Sequence, residues 1–167
     1  GSGPKAGEHQ GAGAAEHQHG DVALLEGRVR AAVHSLKDLP IQDNKGIVTS
    51  AVLCRDDPRD ALVSAREGGF DGLPSGARIG TSSPRRRAQI LAARNDLVVE
   101  PVRGNVQTRI AKAVDGPLDA VVLAAAGLNR LGLTEHVREL LPTDTFLPAP
   151  GQGALAVQCR EDDDEAR

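Results

Sequence analysis

The stretch IGTSSPRRRAQI at 79–90 limits the folds open to this chain more than any other. It reads as a strand end, a hydroxyl-rich turn and the start of a helix. Ser83 is a good helix N-cap, and Pro84 suits the first helical position, where its missing N–H would have gone unpaired anyway. Arg85, Arg86 and Arg87 then crowd the first turn, where the helix dipole disfavours cations. No acid lies close by in sequence to neutralise them. Backbone N–H groups, hydroxyls and guanidinium groups meeting at one point suit a polyanion. A strand running straight into a helix belongs to a layered α/β fold, whose ligands bind at the carboxyl ends of strands.

The same device recurs at RGNVQTR, 103–109. A strand over 97–102 leads to Asn105 as N-cap, and Val106, Ile110, Ala113 and Val114 fall on one helical face. Arg103 precedes that helix and Arg109 projects beside its buried face. Elsewhere, 22–25 reads as a helix end stopped by Gly27, and 29–33 as a short strand running into the polar loop HSLKDLP. Residues 25–36 can be laid over 114–125, each with a helix end, an acid-Gly stop and an apolar strand. That likeness predicts two α/β lobes, each delivering a strand-end loop to a shared cleft. Further strands are expected at 47–53, 78–81, 118–124 and 154–159, with helices over 84–95 and 133–141. The run 55–60 reads as a polar crossover and 66–78 as a glycine-rich loop. Asn129 and Arg130 fall in a loop or short helix, 142–153 is an extended loop, and the acidic run 161–165 a solvated end.

Composition removes several function classes. A net charge of −3 supplies no general basic field for nucleic acid, and Phe70 and Phe146 are the only aromatic residues available for stacking on bases. No apolar run approaches the ~20 residues of a membrane span, and no signal-peptide pattern opens the chain. Residues 1–21 are Gly, Ala, His, Gln and Glu with hardly a large apolar side chain, so disorder is expected there. His9, His17 and His19 in such a segment make no metal site. Cys54 and Cys159 fit no ligand pattern and read as ordinary thiols of a cytoplasmic protein.

Six segments carry a resemblance. HSLKD at 34–38, RDDPRD at 55–60, GTSSPRRRAQ at 80–89, RGNVQTR at 103–109, LDAVVLAAAGLNRLGL at 118–133 and LPAPGQGALAVQCR at 147–160 stand in the order found in porphobilinogen deaminases (hydroxymethylbilane synthases). From about residue 22 to 160 the chain resembles that family. The resemblance implies a transferase of porphyrin and heme biosynthesis that joins four porphobilinogen units head to tail into hydroxymethylbilane, releasing ammonia. The growing chain of pyrroles is held on a covalent dipyrromethane cofactor. It also implies an α/β fold with mixed sheets, whose two lobes resemble type II periplasmic binding proteins. Residues 22–57 with 149–167 would form a partial first domain, and 58–148 the second.

Matched residue by residue, Asp38 resembles the family's catalytic aspartate. Ser35, Lys37, Thr81, Ser83, Arg85, Arg86, Arg103, Asn105, Arg109 and Gln152 resemble cofactor-contacting positions, and Arg130 a substrate-binding one. Acetate and propionate groups on each pyrrole are what arginine forks and helix starts recognise. Departures accompany the likeness. The family's first strand and helix have no counterpart in 1–21, and Arg30 stands where an acid is common. The cofactor-anchoring cysteine belongs to a third domain that the resemblance would place beyond Arg167. Neither Cys54 nor Cys159 matches it, so covalent attachment is not expected on this chain. The alternative expectation is a two-lobed anion-binding module without catalysis. On either reading, self-association through exposed apolar surface and an open sheet edge is expected.

Overall fold

A computed structural model describes residues 12–41 and 44–167, with side chains from residue 19 onward. In chain order its elements are α1 (Ala12–Leu25), β1 (Ala31–Ser35), a 3-10 turn (Leu36–Asp38), β2 (Ile47–Val52), β3 (Asp60–Val63), β4 (Arg78–Gly80), α2 (Pro84–Ala93), β5 (Val98–Glu100), α3 (Val106–Val114), β6 (Ala120–Ala124), α4 (Ala125–Leu131), β7 (Val137–Leu140) and β8 (Leu155–Arg160). They fall into two compact units, Gly1–Cys54 with Ala154–Arg167, and Arg55–Gly153. The boundaries expected from the resemblance lay at 57/58 and 148/149. Asp56 N–H donates to Gly153 O at 3.1 Å and Arg55 Nε to Gln152 O at 2.9 Å, both bonds lying within the second unit.

The first unit is a three-stranded antiparallel sheet in the order β1-β8-β2. Helix α1 packs against it through Ala23 and Leu24, both buried. Residues 12–21 therefore correct the expectation of disorder over 1–21, while 1–11, with His9, lie outside the described residues. The helix was hidden because 12–21 offers no large apolar side chain; among the described residues its buried side chains are Asp21, Ala23 and Leu24. Asp163 corrects the reading of a solvated acidic end. Its side chain is largely buried and takes Arg30 at 2.6 Å and Arg160 at 3.2 Å.

The second unit has a five-stranded mixed sheet in the order β5-β4-β6-β3-β7. Strands β4, β5 and β6 are parallel, and β3 runs antiparallel between β6 and β7. Alternation along β6 builds both faces. Ala120 and Val122 join one apolar cluster with Ile90 of α2, Phe70 and Phe146, the two rings meeting edge to face at 5.1 Å. Val121 and Leu123 join the other, with Ala113 of α3 and Ala125 and Leu128 of α4. Strand β3 was not expected, because Asp60 reads as the close of a polar run. Strand β7 replaces the helix expected over 133–141. There Val137, Leu140 and Leu141 imitate helical spacing while the backbone pairs with β3.

Candidate functional site

In the second unit the carboxyl ends of β4, β5 and β6 share one sheet edge, with Gly80 opposite Glu100. The start of β3 joins them because that strand runs the other way, bringing Asp60 opposite Ala124. Thr81, buried after β4, donates its N–H to Glu100 O at 2.9 Å, and its Oγ1 accepts from Ser83 N–H at 3.2 Å. Ser82 Oγ donates to Val102 O at 2.7 Å and accepts from Val102 N–H at 3.1 Å. Those bonds tie together the two loops that start α2 and α3. Both expected caps are present. Ser83 accepts from Arg86 N–H at 3.4 Å, and Asn105 Oδ1 accepts from Thr108 N–H at 2.8 Å.

Two of the three arginines of α2 share a buried countercharge. Asp60, fully buried, receives Arg86 Nη2 at 2.7 Å and Gln152 Nε2 at 2.8 Å on one oxygen, and Arg85 Nη2 at 2.9 Å on the other. Arg86 Nη1 continues to Val122 O at 3.1 Å, Arg85 Nη1 reaches the Leu147 carbonyl, and Arg87 Nη1 donates to Val99 O at 2.7 Å. An acid 25 residues before Arg85 in the chain thus supplies the countercharge that local sequence lacks. Burial pushes the Asp60 carboxyl up, but the bonds and charge of Arg86, with Gln152 and Arg85, outweigh it, so its pKa lies below the ordinary value. Gln152 is held in turn by Pro58 O at 2.7 Å. The next residue must be glycine: φ is +95° at Gly153, and a Cβ there would lie 2.5 Å from Asp56 O.

Around this cluster the remaining residues are more open. Arg103 is exposed, and its guanidinium has no hydrogen bond or ion pair among the described residues. Arg109 Nε donates to Gly104 O at 2.7 Å. Arg130, in the last turn of α4, donates to Gly153 O at 2.5 Å and stands 3.7 Å from Asp56. In the first unit, Ser35 ends β1, while Lys37 and Asp38 lie in the 3-10 turn, Asp38 exposed. Of the expected residues the structure therefore gathers Arg85, Arg86 and Gln152 on one carboxylate. Thr81, Ser83, Arg103 and Asn105 belong to the two tied loops, Arg109 to the start of α3, and Ser35, Lys37 and Asp38 to the other unit. Sequence reasoning missed Asp60 and Ser82. The signal for Asp60 was an acid at the first position of the apolar run ALV, where burial would demand a cationic partner.

Comparison with known proteins assigns the group. A family model described as "Porphobilinogen deaminase, dipyromethane cofactor binding domain" matches residues 17–167. The chain belongs to the porphobilinogen deaminase family. It is 58% identical over 142 residues to a porphobilinogen deaminase of Thermobifida fusca, covering 84% of this chain and 44% of that one. Against the enzyme of Geobacter metallireducens it is 54% identical over 144 residues, covering 86% and 45%. A probable porphobilinogen deaminase of Methanopyrus kandleri is 52% identical over 147 residues, covering 88% and 49%. The chain thus spans about half the length of the curated relatives it matches.

Solved structures agree on the fold, that of type II periplasmic binding proteins. A periplasmic substrate-binding protein of an ABC transporter from Coxiella burnetii superposes with a TM-score of 0.57 at 18% identity, covering 87% of this chain and 71% of that one. A YaeC-family lipoprotein from Enterococcus faecalis gives 0.52 at 19%, with the same coverage. The donor set fits the family's cofactor: guanidinium forks and two capped helix starts at one sheet edge are chemistry for carboxylates. Among the described residues Cys54 and Cys159 are free, no cluster of metal-ligating side chains forms, and no helix is long and apolar enough to cross a membrane.

Proposed function

We propose that this chain is the cofactor- and substrate-holding part of a deaminase that joins four porphobilinogen units into hydroxymethylbilane with loss of ammonia. The observation that carries the reading is the concentration of carboxylate-directed donors at one edge of the second unit's sheet, in a chain of this family. Arg103 and Arg109, with the outer face of Arg85, would take acetate and propionate groups as forked ion pairs. Arg86 and Gln152 would act from beneath, since the Gln152 amide and both terminal nitrogens of Arg86 already bond within the protein. Thr81, Ser83 and Asn105 would shape the helix starts. Dipyrromethane, when bound, supplies the pyrrole carbon from which the chain grows. Arg130 would hold the incoming porphobilinogen by its carboxylates.

Asp38 would serve electrostatically. Departure of ammonia from the aminomethyl group leaves positive charge on the methylene carbon and its pyrrole, and a fixed carboxylate lowers the energy of that charge. Its oxygens can also take the pyrrole proton released when the new carbon–carbon bond forms. Ser35 and Lys37, beside it in sequence, would contact the cofactor. The free thiols support a reducing, cytoplasmic setting.

The test is calorimetric titration with a synthetic dipyrromethane bearing acetate and propionate groups, followed by porphobilinogen turnover read as ammonia release. Binding that weakens at least fivefold in Arg103→Ala supports the reading, and binding untouched by that change overturns the anion site. Binding without ammonia release would favour the non-catalytic module. Replacing Arg85 and Arg86 together is a poor probe, because it strips the buried Asp60 of its cations.

A further inference from the structure

We propose that Asp60 is the positioning residue of this anion site: one buried carboxylate fixes the heads of Arg85 and Arg86 and the amide of Gln152, and so sets where their remaining protons point. This rests on the anion-binding role proposed above and deepens it. Three donors from two distant segments converge on Asp60, at 2.7, 2.8 and 2.9 Å. Arginine and glutamine side chains have many rotamers, and a shared acceptor without solvent access leaves them few. The second partners complete the restraint. Arg86 is also held by Val122 O, and Gln152 by Pro58 O. Two guanidinium groups on one carboxylate leave one net positive charge, so the helix start remains attractive to an anion.

The sign of the effect separates positioning from simple charge. If Asp60 were only a counter-ion competing with ligand carboxylates, removing its charge would tighten anion binding. Positioning requires the opposite. The dipyrromethane bearing acetate and propionate is titrated into the native chain, Asp60→Asn, Asp60→Glu and Arg103→Ala, with melting followed in parallel. The expected result is at least tenfold weaker binding in Asp60→Asn, partly recovered in Asp60→Glu, which keeps the charge but displaces it. Equal or tighter binding in a folded Asp60→Asn overturns the proposal. If Arg103→Ala weakens binding and Asp60→Asn does not, positioning alone fails; if neither matters, the anion site itself fails. Should Asp60→Asn not fold, guanidinium proton resonances of the native chain decide. Separate, slowly exchanging Nη signals for Arg85 and Arg86 support a fixed pair, and averaged signals overturn it.

Discussion

The two units carry their candidate residues on unlike supports. In the second, every strand that leads to an arginine-bearing loop lies in a sheet covered on both faces by apolar clusters. In the first, Ser35 ends, and Lys37 and Asp38 follow, an edge strand whose Val33 is 60% exposed, in a unit where Val22, Leu25, Val29 and Val52 are also open. Precision of a site follows the rigidity of what holds it. The second unit is built to present fixed donors. The first presents an exposed carboxylate on a short 3-10 turn.

The comparison breaks first at Asp60. Asp60→Ala leaves Arg86 buried without its main partner, and a loss of about 3–5 kcal/mol is expected in urea unfolding. A loss under about 1 kcal/mol would remove the cluster from the second unit's framework. Next comes a matched pair. Leu62→Ala, at a fully buried position between β6 and β7, should cost about 2–5 kcal/mol. Val33→Thr, on the open edge, should stay within about 0.5 kcal/mol. Similar costs at the two positions would erase the contrast between units.

Acid should act on the second unit in a defined direction. Asp60 has a lowered folded pKa, so its contribution is complete above the unfolded carboxylate value near 3.9 and disappears as pH falls through the folded one. Asp96, held at about 2 by Arg94, behaves alike. Melting followed through resonances of β3 and β6 should therefore decline below about pH 4. A melting temperature that rises there would contradict the assigned ion pairs. The smallest effect lies at the caps. Asn105→Ala should cost about 1 kcal/mol, and Ser83→Ala less because its bond is longer, 3.4 Å against 2.8 Å. A reversed order in thermal melts would refute that geometry.

Legibility followed the range of the interactions. Helices α2 and α3 were readable because Ser83-Pro84 and Asn105 are start signals confined to a few residues. The apolar face of α3 also repeats at the helical period. Strand β7 was misread because Val137, Leu140 and Leu141 satisfy that period too, and only pairing with β3 decides between the two. Strand β3 gave no local pattern, having four residues after a polar run. Arg85 and Arg86 stood out, with Arg87, through their conflict with the helix dipole. The commitment of Arg85 and Arg86 to Asp60 was invisible, since the partners come from residues 60, 85, 86 and 152.

That spacing has a consequence for how the protein comes into being. Arg86 depends on a carboxylate 26 residues earlier and a carbonyl 36 residues later, and Asp60 meets Gln152 across 92 residues. As the chain emerges during synthesis, its acid appears first, its guanidinium groups follow, and the sheet that seals them closes only with β6 and β7. Contacts of such separation form late, after the costs of loop closure have been met. Until residue 152 has been made, the charges that define the site have no complete enclosure, and the nascent second unit displays both signs to solvent.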